Sequence, residues 1–114
     1  MPTRITRDDL QALLIHHGRP VLVEALGAAF YADAHIPGAI NIPPGQVERL
    51  ASKLIPNRDA PIVVYCSGSC SSADAVARQL EAVGYTDVAV YVGGKEDWVE
   101  HGLPVERSDG LDQT

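Results

Sequence analysis

The chain has 114 residues, 46% of them hydrophobic and 21% charged, which suits one globular domain and supplies enough apolar surface to offset the entropy of ordering. A formal charge of −6, from 15 acidic against 9 basic residues with no Lys/Arg cluster, sets up a field that repels polyanions and acidic membranes and argues against nucleic-acid binding. The N-terminus carries Asp8 and Asp9 where an export signal needs an uncharged apolar run, and no stretch approaches the ~20 apolar residues of a membrane span, so a cytoplasmic protein is expected.

In chain order, Thr6 followed three residues later by Asp9 resembles a capping box. Leu10, Leu13, Leu14 and His17 then recur at helical spacing until Gly18. Val21 to Val23 is a short β-branched run after Pro20 that reads as a buried strand, with Glu24 at its carboxyl end. Residues 27–43 hold Gly27, Pro37, Gly38 and Pro43 and read mostly as loop, with Ala39 to Ile42 as a second short strand. Val47, Leu50, Leu54 and Ile55 follow the helical period and predict a surface helix.

Pro61 introduces Ile62, Val63, Val64 and Tyr65, an apolar run suited to a central parallel strand covered on both faces. After the loop Cys66-Ser67-Gly68-Ser69-Cys70-Ser71-Ser72, the stripe Ala75, Val76, Leu80, Val83 predicts a helix that Gly84 ends. Val88 to Val92 predicts a strand, Gly93-Gly94 a turn, and Lys95 to His101 a last helix. Strands alternating with helices define an α/β fold, a mainly parallel sheet flanked by helices on both faces. Residues 1–106 are expected to form the single domain and 107–114 a flexible tail.

Ligands of such folds bind outside the carboxyl ends of the strands, where Cys66 is expected. A cysteine just before a helix meets unpaired backbone N–H groups and the positive end of the helix dipole, both of which favour the thiolate. The small residues Ser67, Gly68, Ser69 and Ser71 would let the backbone curl round a sulfur or an anion, with Cys70 and Ser72 completing the ring. Two alternatives stay open at this point. Cys66 could instead be a small hydrophobe in the core, and Cys70 could either resolve an oxidised or persulfidated Cys66 or simply occupy the loop. A disulfide between two cysteines four residues apart would close too short a loop to be a general staple, which favours reactive thiols.

Several segments then converge on one family. YADAHIPGAINIP at 31–43, PIVVYC at 61–66 and GGKEDWVEHGLPV at 93–105 resemble the rhodanese superfamily, over a span from about Val21 to Val105. The resemblance implies a Cys66 thiolate that takes the outer sulfur of a donor such as thiosulfate, a persulfide or a polysulfide, holds it as a persulfide, and passes it to cyanide or a thiol. A protein acceptor is also compatible. No cofactor is implied, and the histidines His16, His17 and His101 lack metal-ligand spacing.

The sequence departs from the family pattern at two places. Many active relatives carry a loop arginine, whereas positions 67–72 are only serine, glycine and cysteine. Since a charge-assisted hydrogen bond is worth about 1.5–3 kcal/mol, its loss weakens binding of a dianionic donor by about one to two orders of magnitude. The strand-end acid of many relatives aligns with Glu24, but the arginine two residues later aligns with Leu26, which leaves the acid without that cation. Lys95 and Arg78 lie nearest the site in sequence, and both are expected at the solvated surface. The longer loops of related phosphatases need an arginine where Ser72 stands, so phosphate-ester hydrolysis fits poorly. His35 is expected to make a structural hydrogen bond, and Trp98, with Val99 and Leu103, to pack the last helix on the sheet. The competing function is a catalytically silent interaction module or a thiol sensor using Cys66 and Cys70.

Overall fold

The computed structural model describes residues 2–15, 19–68 and 71–107. Ser69 and Cys70, the His16–Gly18 segment and the 108–114 part of the expected tail lie outside the described residues.

The element order is β1 (Thr3–Ile5), α1 (Arg7–Ile15), β2 (Val21–Glu24), α2 (Ala28–Asp33), β3 (Ile40–Asn41), α3 (Val47–Leu54), β4 (Ile62–Tyr65), α4 (Ser72–Ala82), β5 (Val88–Tyr91) and α5 (Gly94–Glu100). The strands form one parallel sheet in the order β1-β5-β4-β2-β3, which places the most apolar strand, β4, at its centre. Two elements go beyond the sequence expectation. β1 adds an edge strand by pairing with β5 through Thr3↔Ala89 and Ile5↔Tyr91. The segment expected as loop contains α2, a six-residue helix too short for hydrophobic periodicity to reveal.

Side-chain alternation along β4 divides the core. Ile62 and Val64 face α3 and α4, where they pack with Val23, Ala51, Val76, Ala77 and Leu80. Val63 and Tyr65 face the opposite side with Leu10, Leu22, Ile36, Tyr91 and Trp98. All four β4 residues are buried, as a parallel strand covered by two helical layers requires. Cys66, next in the alternation, joins the α3/α4 side, whereas Glu24, in register with Tyr65, belongs to the other.

Local signals account for the ends of the elements. The Asp9 amide donates to Thr6 Oγ1 at 3.2 Å while Asp9 Oδ2 accepts the Thr6 amide at 3.0 Å, a complete capping box at the start of α1. The Ala39 amide donates to the Ile36 carbonyl at 2.9 Å, closing a turn with Pro37 and then Gly38 at φ +85°. A type II turn demands this pair, since proline presets the second position and glycine tolerates positive φ at the third.

Candidate functional site

Cys66 follows the carboxyl end of β4 and is only 3% exposed. It is disulfide-bonded in this structure, so nucleophilic chemistry at its sulfur belongs to the reduced protein. Of the proposed cradle, Ser67 and Gly68 are half-buried, Ser71 is exposed and Ser72 opens α4; Ser69 and Cys70 lie outside the described residues.

The first part of the loop is tied to the start of α5. The Lys95 amide donates to the Cys66 carbonyl at 2.8 Å and the Glu96 amide to the Ser67 carbonyl at 2.7 Å. A helix N-terminus leaves its first N–H groups without intrahelical acceptors, and here the loop carbonyls take that role in place of a side-chain cap. The approach is so close that a Cβ on Gly94 would stand 2.7 Å from both the Cys66 carbonyl oxygen and the Gly68 nitrogen. Gly94 also has φ +69°, so backbone conformation and space both call for glycine.

On the other face of the sheet lies a buried polar network that the sequence did not reveal. Glu24 is 0% exposed, and its Oε1 accepts the Tyr65 hydroxyl at 2.8 Å. The same tyrosine oxygen accepts the Ile36 amide at 3.0 Å, which fixes the start of the Ile36–Ala39 turn. Burial, reinforced by the Glu24 carboxylate, raises the Tyr65 pKa well above the usual phenol range, so this hydroxyl stays protonated and donates.

Lys95 supplies the counter-charge. Its ammonium donates to Glu24 Oε2 at 3.1 Å, to the Phe30 carbonyl at 3.0 Å and to the Ala34 carbonyl at 2.6 Å, engaging all three of its donors. Two expectations are corrected here. Lys95 is not a solvated surface lysine, its side chain being 15% exposed, and Glu24 does have a cation, delivered from α5 rather than from position 26. The reason is geometric: the Lys95 amide is fixed to the Cys66 carbonyl, and from there the side chain reaches the carbonyls at the end of α2.

His35 stacks on Tyr31 with ring centroids 3.9 Å apart, its Nδ1 lies 2.8 Å from the Tyr31 carbonyl, and its backbone exchanges hydrogen bonds with Glu106. Trp98 is buried against Tyr91 and its Nε1 donates to the Pro104 carbonyl at 2.7 Å, as expected of a core residue. Val99, grouped with it at first, is instead 50% exposed because it turns away from the sheet. With Phe30, Ala34 and Ser67 it lines an open cleft of about 490 Å³ beside the loop. Asp97 accepts from Tyr91 Oη at 2.6 Å and from Arg7, binding α5 to α1, and mainly the Tyr91 hydrogen bond lowers its carboxyl pKa.

A central parallel strand followed by cysteine, a loop of small residues and a helix is the layout of a rhodanese-like α/β domain. The rhodanese-like domain family matches residues 6–101, and the chain belongs to that family. It is 26% identical over 98 residues to the thiosulfate:glutathione sulfurtransferase of Saccharomyces cerevisiae, covering 76% of this chain and 70% of that one. Its fold superposes on the crystal structure of a thiosulfate sulfurtransferase from Pseudomonas aeruginosa with a TM-score of 0.77 at 33% identity, over 92% of this chain and 20% of that chain. The human single-domain sulfurtransferase TSTD1 gives a TM-score of 0.73 at 26% identity, over 88% of this chain and 96% of that chain. The chain spans only 35% and 38% of two further relatives in sequence. These likenesses support sulfur transfer as the general class of chemistry. Among the described residues no helix is long and apolar enough to cross a membrane.

Proposed function

We propose that the chain is a sulfurtransferase that carries sulfane sulfur on Cys66. The supporting observation is the place of this residue: it follows the carboxyl end of the central strand and opens a loop whose first two carbonyls are pinned by α5. The reduced thiol, once ionised, attacks the terminal sulfur of the donor. An S–S bond forms to Cys66 while the donor's sulfur–sulfur bond breaks and its electron pair leaves with the donor remnant, sulfite from thiosulfate or a thiolate from a persulfide or polysulfide. An acceptor thiolate or cyanide then attacks the outer sulfur and the Cys66 thiolate departs, so no net oxidant or reductant is consumed. The backbone N–H groups of residues 67–72 serve as the anion cradle for the leaving and transferred charge. A compartment such as the cytoplasm, which keeps thiols reduced, suits this cycle.

The test is cyanolysable sulfur in the reduced protein after incubation with thiosulfate or polysulfide. Loading is expected for the wild type and absent from Cys66→Ala, and undiminished loading of that variant refutes the assignment.

A second reading has its own support. A loop that lacks arginine and carries a second thiol, Cys70, favours a thiol sensor using Cys66 and Cys70. A sensor loses two hydrogens on mild oxidation and gains no sulfur from a donor, which separates it from a transferase by intact mass.

A further inference from the structure

The cleft beside Ser67 is lined by apolar and acidic side chains. Phe30 is 63% exposed and Val99 50% exposed, large apolar side chains held open to solvent next to the loop. Asp33, Glu96 and Glu100 line the same cleft. Glu96 lies against the loop, with Oε1 2.8 Å from where a Cβ on Gly68 would stand. Among the described residues none of these three carboxylates is held in an ion pair. The cation lining the cleft, Lys95, offers nothing to an incoming anion, because Glu24 balances its charge and its three donors are engaged.

This combination is hostile to a dianion and complementary to a cationic, partly apolar surface. We infer that the cleft is the docking surface for a partner polypeptide presenting a persulfidated cysteine flanked by apolar and Lys/Arg residues, and that Glu96 and Glu100 make the protein favour this donor over thiosulfate. The inference rests on sulfur loading at Cys66 and goes beyond it by assigning the donor class. An apolar flanking side chain covers Phe30 and Val99, the basic residues face the carboxylates, and the outer sulfur is delivered at the loop. Attack by the Cys66 thiolate forms the new S–S bond and returns the partner's cysteine as thiolate.

Two synthetic peptides carrying one persulfidated cysteine, identical in their apolar residues and differing only in lysine or glutamate flanks, provide the test. Initial loading of the reduced full chain is read by intact mass at low and at high salt. The lysine peptide is expected to load about tenfold faster or more at low salt, with the advantage shrinking as salt screens the charges. In Glu96→Gln/Glu100→Gln the preference should narrow and loading by thiosulfate should rise. Equal rates for the two peptides, or a preference unchanged in the double variant, overturn the donor assignment while leaving sulfur transfer intact. Failure of every donor, thiosulfate and polysulfide included, to load the wild type overturns sulfur transfer itself and the docking surface with it.

Discussion

Replacing Lys95 by methionine tests whether the buried ion pair holds the site together. The substitution keeps most of the side-chain volume and removes the cation from a carboxylate that has no exposed surface. Leaving one member of a buried pair uncompensated costs about 3–5 kcal/mol. The Phe30 and Ala34 carbonyls also lose their charged donor, at about 1 kcal/mol each where water does not replace it. Against a total stability of about 5–15 kcal/mol for a domain, this is a large fraction. The double variant Glu24→Gln/Lys95→Met removes both charges and keeps a hydrogen-bonding group beside Tyr65, so it should recover about 2–3 kcal/mol relative to Lys95→Met. Urea unfolding followed by far-UV circular dichroism measures all four corners of the cycle, with an unchanged m-value as the check that compactness is preserved. A Lys95→Met loss below about 1 kcal/mol, or strictly additive corners, would show that the pair does not hold the site together.

Other consequences are open to the same assays. Gly94→Ala forces a Cβ into the Cys66 carbonyl and the Gly68 nitrogen at positive φ, so it should cost at least about 1–3 kcal/mol and slow sulfur loading, as read by urea melts and intact mass. Trp98→Ala should cost about 3–5 kcal/mol, whereas Val99→Ala, on the exposed side of α5, should stay within about 1 kcal/mol of wild type. Tyr91→Phe should destabilise by about 1–2 kcal/mol near neutral pH, because its hydroxyl donates to the Asp97 carboxylate. A carboxyl whose pKa is lowered by folding stabilises the fold above its unfolded pKa and loses that contribution as pH falls through the folded value. The gap between Tyr91→Phe and wild type should therefore close in acid below the ordinary carboxylate range, and a gap independent of pH contradicts this account.

The sheet was legible because its strands advertise themselves. Ile62–Tyr65 and Val88–Tyr91 are continuous apolar, β-rich runs, and a parallel strand buried on both faces needs such a run. β1 escaped because Thr3, Arg4 and Ile5 form an edge strand with two exposed residues, whose pairing to β5 depends on tertiary placement. α2 escaped because six residues without a buried side chain show no stripe. At the site, the place of Cys66 at a strand end followed from order along the chain. The Glu24–Lys95 pair did not, because it joins residues 71 apart through the carbonyls of a helix that left no periodic signal. The one clue was chemical: an acid at the end of a buried strand must find a counter-charge, and position 26 holds leucine.

Sulfur carriage on Cys66 is tested most simply by the intact mass of the reduced wild-type protein after exposure to polysulfide, with peptide mapping of the product. Sulfur transfer through Cys66 requires a gain of one sulfur atom, located on the peptide containing Cys66, removable by cyanide and absent from Cys66→Ala. A product that has only lost two hydrogens, or added sulfur located elsewhere in the chain, would contradict it.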